Sequence, residues 1–207
     1  MLFPVLIPLF ALAALFAAHD YIKCKKGETL PAALLKGACT TVCLGVYLWR
    51  TLEMGFVPYI VIFAAALALC IAADVVICFK FKIGVAFFGA AHLVFIAAFM
   101  LGSLQFMPFL FAFIGAFLMM LCLVWRWGLL QRENPVYLVY LILLAGMLGL
   151  AVGRGGWVIA GAVAFAASDM ILIYCRFVQP WTDKRHRANR INLALYFAGI
   201  FMLAVFY

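Results

Sequence analysis

The chain has 207 residues, 71% of them hydrophobic and 11% charged, with a mean hydropathy of +1.23 and a formal net charge of +8. That composition excludes an ordinary soluble globular domain, and 22.9 kDa holds one helical bundle with little left for an extramembrane domain. Only seven acidic residues occur, and two of them, Asp74 and Asp169, stand deep in apolar sequence.

Crossing about 30 Å of hydrocarbon takes roughly 20 apolar residues per helix. Apolar runs bounded by charges and prolines predict about eight spans, near 2–18, 31–49, 57–79, 83–101, 106–125, 135–152, 156–174 and 191–207. Alternation of period two is absent, so the expected fold is all-α, a polytopic transmembrane helical bundle in a single domain over 1–207, and not a barrel. Pro31, Pro58, Pro108 and Pro135 fall in the first turn of their spans, where a missing N–H costs nothing. Pro4 and Pro8 are exceptions, expected to loosen the start of the first span. With no basic segment before it, that span reads as a retained helix and not as a cleaved signal peptide.

Lysine and arginine set the orientation. Loops after odd-numbered spans carry Lys23, Lys25, Lys26, Lys80, Lys82, Arg126, Arg132, Arg176, Lys184, Arg185, Arg187 and Arg190, whereas loops after even-numbered spans carry only Arg50 and Arg154. The positive-inside rule then places odd loops in the cytoplasm and both termini on the non-cytoplasmic side. The positive charge becomes a surface for anionic lipid headgroups, and no nucleic-acid partner is expected. Trp49, Trp125, Trp127, Trp157 and Trp181 cluster near span ends, as an aromatic belt does. The seven cysteines form no CxxC pair and read as small apolar fillers, with neither a disulfide framework nor a zinc site indicated. The longest loop, 175–190, reads as a basic cytoplasmic segment.

Five polar side chains interrupt the spans: Lys36, Asp74, His92, Asp169 and Tyr196. An ionisable group inside a bilayer is costly unless paired or hydrated, which makes each a functional-site hypothesis. At 1.5 Å of rise per residue from the nearest cytoplasmic helix end, Lys36, Asp74, Asp169 and Tyr196 lie roughly 9–10 Å deep and His92 roughly 15 Å. The shared depth points to one site. Each residue also has a plainer reading. Lys36 can snorkel to the interface, the aspartates can pair with it only to lock helices, and His92 can be a hydrogen-bonded structural group. Ser168 can bond back to its own helix, Tyr196 can be an interfacial anchor, and Gly149 with Gly153 has the spacing of close helix packing.

The segment IAADVVICFKFKIGVAFFGAAHLVFI, holding Asp74 and His92, resembles the YhhN family of lysoplasmalogenase-like integral membrane proteins. PVYLVYLILLAGMLGLA and GAVAFAASDMILIYCRF, the latter with Ser168, Asp169 and Arg176, are similar to further stretches of that family, as are LKGACTTVC with Lys36 and LALYFAGIFMLAV with Tyr196. The resemblance runs in order from Lys36 to the C-terminus, and its Ser-Asp segment is the most specific part. Departures are Gly37 where the family often has Pro, Ala73 where it has Gly, Phe95 where it often has Tyr, and Gly199 where it usually has Gln.

The resemblance implies a membrane-embedded hydrolase that cleaves the vinyl ether of a lysoplasmalogen to a fatty aldehyde and a glycerophospho-alcohol, with a lysophospholipid substrate and no cofactor or metal. Vinyl-ether hydrolysis protonates carbon, captures water on the oxocarbenium ion and collapses a hemiacetal. Two carboxyls in different environments can serve it, as in acetal-cleaving glycosidases. Asp74 and Asp169 are the candidates, either being the acid, with His92 and Tyr196 to relay protons or orient water and Lys36, Ser168 and Arg176 to bind substrate. Buried Asp, His and Lys also suit a small proton-coupled transporter or lipid flippase, although no inverted repeat or paired broken helices appear. A ceramidase-type zinc hydrolase needs several histidines, whereas His19 is expected at the outer margin of the cytoplasmic face and His186 in a loop. The expected location is a multi-pass position in the inner membrane of a bacterium or an ER-type membrane of a eukaryote.

Overall fold

A computed structural model of the chain describes residues 3–52, 58–101, 103–129, 136–178 and 183–207. Among them are eight helices and no strand: α1 (Phe3–Lys26), α2 (Leu30–Leu52), α3 (Pro58–Val76), α4 (Phe81–Met100), α5 (Phe106–Arg126), α6 (Val136–Arg154), α7 (Val158–Phe177) and α8 (Asp183–Phe206). Six contain stretches long and apolar enough to cross a membrane, and α3 and α6 contribute the shorter apolar helices Ile60–Val76 and Leu138–Arg154. Large apolar side chains such as Ile7, Phe10 and Phe111 are exposed on helix surfaces, which suits hydrocarbon as the surrounding medium. Trp49, Trp125 and Trp157 are likewise exposed near helix ends. The chain is a polytopic all-helical membrane protein.

Two boundaries differ most from the sequence reading. The first helix runs past residue 18 to Lys26, and the last starts at Asp183, ahead of residue 191, taking up much of the expected 175–190 loop. Hydropathy locates the part of a helix that meets hydrocarbon, whereas backbone hydrogen bonding continues through polar residues until something stops it. Gly27 supplies the stop for α1: its φ of +73° is readily adopted only by glycine, and its amide donates to the Lys23 carbonyl at 2.9 Å. Lys23, Lys25 and Lys26 fill the last turn, where positive charge complements the helix dipole. Thr29 then caps α2 by accepting from the Ala32 amide. Pro8 sits inside α1 without ending it. Pro135, Arg132 and Trp181 lie outside the described residues.

Packing divides the chain into two units, Met1–Ala98 and Phe99–Tyr207. In the first, α2 approaches α3 at Gly37, where an added Cβ would come within 3.0 Å of Val75 Cγ2. Tyr47 of α2, Phe63 of α3 and Phe95 of α4 stack through the core, with ring centroids 4.6 Å and 5.0 Å apart in turn. Cys39, Cys43 and Cys70 are fully buried there, acting as the small fillers expected.

In the second unit, α5 packs against α6 at Gly149 and Gly153, where a Cβ would press on Phe113 or Phe109, so the small-residue spacing is a close helix contact. The α7–α8 crossing is tighter still. A Cβ on Gly199 would stand 2.8 Å from the Gly161 carbonyl oxygen and from the Phe165 nitrogen. Backbone thus occupies the space that a side chain at position 199 would need. Arg154 is held in place: its guanidinium donates to the Phe99 carbonyl at 3.1 Å and lies 4.8 Å from the Tyr207 ring centre.

Candidate functional site

The polar side chains form two clusters, described within their own units. In the first, Lys36 and Thr40 stand four residues apart on α2, which puts them on one face of the helix. Asp74 occupies the last turn of α3, yet none of it is exposed. Lys36 Nζ lies 3.2 Å from Asp74 Oδ1, and the Thr40 hydroxyl donates to Oδ2 at 2.5 Å. An ammonium and a hydroxyl on one carboxyl suit its ionised form, because charge-assisted hydrogen bonds are roughly twice as strong as neutral ones. The Lys36 ammonium also lies 6.0 Å from the Phe88 ring centre on α4. Lys36 thus turns inward to an acid and does not snorkel.

The rim of this cluster is charged. Lys23 pairs with Glu28 at 2.5 Å in the α1–α2 turn. Burial acts to raise the Glu28 carboxyl, but the charge and hydrogen bond of Lys23 outweigh it and hold the group below the usual carboxylate range. Cys78, just past α3, donates its thiol to the Asp74 carbonyl at 3.4 Å. His92 is fully buried on α4.

His19 joins the buried polar groups of this unit. It is fully buried, with ring Nδ1 2.7 Å from the Ala32 carbonyl oxygen. The reason is that α1 continues to Lys26, so position 19 lies well inside a helix packed on α2.

In the second unit, Tyr140 of α6 donates its hydroxyl to Asp169 Oδ2 at 2.7 Å, and Asp169 is 3% exposed. Ser168, beside it on α7, donates to the Phe165 carbonyl of its own helix at 2.7 Å. Tyr196 is buried and packs edge-on against Phe165, with centroids 5.3 Å apart. It is a core side chain and not an interfacial anchor. Arg176 is exposed in the last turn of α7. Asn192, near Tyr196 in sequence, is also buried.

Lys36, Asp74 and His92 therefore belong to the first unit, and Ser168, Asp169, Arg176 and Tyr196 to the second. Thr40, Tyr140 and Asn192 are polar members that sequence reasoning passed over. Only Thr40 carried a usable signal, its i+4 spacing from Lys36. Among the described residues, no group of three or more His, Cys, Asp or Glu is placed to hold a metal ion.

Chemically, the first cluster offers a water-shielded carboxylate with its charge balanced, and the second a buried carboxyl with a phenol donor. Both are acid–base groups carried on apolar helices. No match was found to the chain among curated proteins or among solved structures. Residues 32–205 match the model of the YhhN family, a stretch that takes in Lys36, Asp74, His92, Asp169 and Tyr196 alike. With most of the chain matched in this way, the protein belongs to the YhhN family.

Proposed function

We propose that this membrane protein hydrolyses the vinyl-ether bond of lysoplasmalogen-type lysophospholipids, releasing a fatty aldehyde and a glycerophospho-alcohol. The observation that carries the reading is Asp74, a fully buried carboxyl held by Lys36 and Thr40 in a chain of the YhhN family. In the reaction, an acid delivers a proton to the vinyl carbon remote from oxygen, and the double bond's electrons form the new C–H bond. The resulting oxocarbenium ion takes water at carbon, and the water's proton passes to a base. The hemiacetal then loses its ether C–O bond: the glycerol oxygen leaves with a proton and the carbon becomes the aldehyde. No electron acceptor is needed.

Asp74 suits the carboxylate part of this chemistry. Its two donors favour negative charge, so it stabilises the oxocarbenium ion and receives the proton of the attacking water. Asp169, with the Tyr140 hydroxyl on one oxygen, is our candidate for the acid, and His92 and Tyr196 for proton relay. With Lys36 engaged by Asp74, Arg176 is the better candidate for the substrate phosphate and Ser168 for a lesser contact.

The test is incubation of purified protein with a panel of lysophospholipids bearing vinyl-ether, alkyl-ether or acyl chains. Aldehyde from the vinyl-ether members alone supports the reading. A buried Lys–Asp pair also suits proton-coupled transport. Lipid or proton movement in proteoliposomes without aldehyde release would favour that alternative.

A further inference from the structure

His19 is a fully buried imidazole that the proposed chemistry leaves unused. A backbone carbonyl only accepts, so the 2.7 Å contact to Ala32 fixes the proton of a neutral imidazole on Nδ1. Nε2 then presents a lone pair, and among the described residues it has no hydrogen-bond partner although no part of the ring is exposed. Buried acceptors are nearly always satisfied, and an exception calls for a reason.

The surroundings restrict what can fill it. Ala32 lies one helical turn before Lys36 on the same face of α2, and the imidazole is within electrostatic reach of Lys23, Lys36 and Glu28. Two lysines make a cationic donor unfavourable at that lone pair, and an anion has no proton to give it. A neutral hydroxyl is the matching group. A lysophospholipid carries one, the free alcohol on the middle glycerol carbon, adjacent to the carbon that bears the chain-linking oxygen.

Resting on the lysoplasmalogen reading, we infer that His19 Nε2 accepts a hydrogen bond from the free glycerol hydroxyl and is the residue that selects lyso over fully substituted lipids. The requirement is for a donor. An acylated or methylated oxygen at that carbon has no proton to offer and leaves the acceptor unfilled.

The experiment uses the full chain in lipid nanodiscs and a probe that cannot be cleaved: a saturated alkyl-ether lysophospholipid, beside the same lipid with its hydroxyl methylated. Binding of each is measured for the unmodified protein, His19→Asn and His19→Gln, with a melting curve for each variant. The Asn amide can reproduce the Nδ1 donation to Ala32 while removing the Nε2 acceptor; the Gln amide reaches the Nε2 position.

The unmodified protein should favour the free hydroxyl by on the order of tenfold, the worth of one neutral hydrogen bond against an unfilled acceptor. That preference should vanish in His19→Asn and partly survive in His19→Gln. Equal binding of the two probes by the unmodified protein, or an undiminished preference in both variants, overturns the proposal. If His19 instead holds the attacking water, the variants lose lysoplasmalogen turnover with probe preference unchanged, which also overturns it. Should no vinyl ether be cleaved while a His19-dependent preference persists, the hydrolase reading fails and the hydroxyl site stands.

Discussion

Lys36 Nζ and Asp74 Oδ1 lie 3.2 Å apart, tying the first half of α2 to the last turn of α3. Neither charge is at home in hydrocarbon alone. Removing one partner from a buried pair typically costs about 3–5 kcal/mol, because the other is left uncompensated. Lys36→Met should therefore lower the melting temperature markedly, and Asp74→Asn added to it should recover most of the loss. Thermal unfolding in detergent of the two single variants and the double one checks this. Additive losses would mean that the pair does not act as a unit.

Thr40 should prove to be part of the same device. Thr40→Val keeps the shape but removes the hydroxyl that donates to Asp74 Oδ2. Leaving a buried acceptor short of one donor costs about 1–3 kcal/mol. Thr40→Ser should retain stability and lysoplasmalogen turnover, while Thr40→Val loses part of both.

The α7–α8 crossing makes a contrasting prediction. At Gly199 a methyl would meet backbone atoms of Gly161 and Phe165, which cannot rotate away, so Gly199→Ala should cost about 1–3 kcal/mol as overpacking does. Gly45, inside α2, has nothing within 4 Å of an added Cβ. Gly45→Ala should be neutral or stabilising by about 0.4–1 kcal/mol through the unfolded chain. Melting curves of the two variants in one detergent compare them directly.

Much of this architecture was legible from hydropathy. Apolar runs reveal the hydrocarbon-spanning part of each helix, which is why the helices appear where the sequence placed spans. They do not reveal where a helix ends in water, and α1 and α8 are longer than expected for that reason. The buried charges were legible too, since Lys36 and Asp74 stand out against apolar neighbours. Their partners were not. The Thr40 and Tyr140 hydroxyls lie in helices where such groups commonly bond to their own backbone or sit at an interface, and only packing shows that each meets an aspartate. The burial of His19 was not legible because it depends on how far α1 continues. The glycine at position 199 stood out in the sequence only as a departure from the resembled pattern, yet the fold uses it as a point of backbone contact.

Orientation is open to a separate test. Basic residues concentrate where odd-numbered helices lead into the next helix, and of the two exceptions, Arg50 and Arg154, the latter is tied to the Phe99 carbonyl and the Tyr207 ring. Reporter fusions after Tyr207 should report a non-cytoplasmic C-terminus. A cytoplasmic signal there would invert the proposed topology.

The most direct measurement is lysoplasmalogen turnover per folded molecule for Asp74→Asn and Asp169→Asn, with a melting curve beside each. Asn preserves side-chain volume and some hydrogen bonding but can neither give the proton nor carry the negative charge. General acid–base catalysis is typically worth ~10²–10⁴-fold, and each variant should lose activity on that scale per folded molecule, with Asp74→Asn also melting lower because Lys36 is left uncompensated. If the two carboxyls serve one reaction, the double variant should be scarcely worse than either single one. Near-normal turnover in folded Asp74→Asn would contradict the proposed chemistry at its centre.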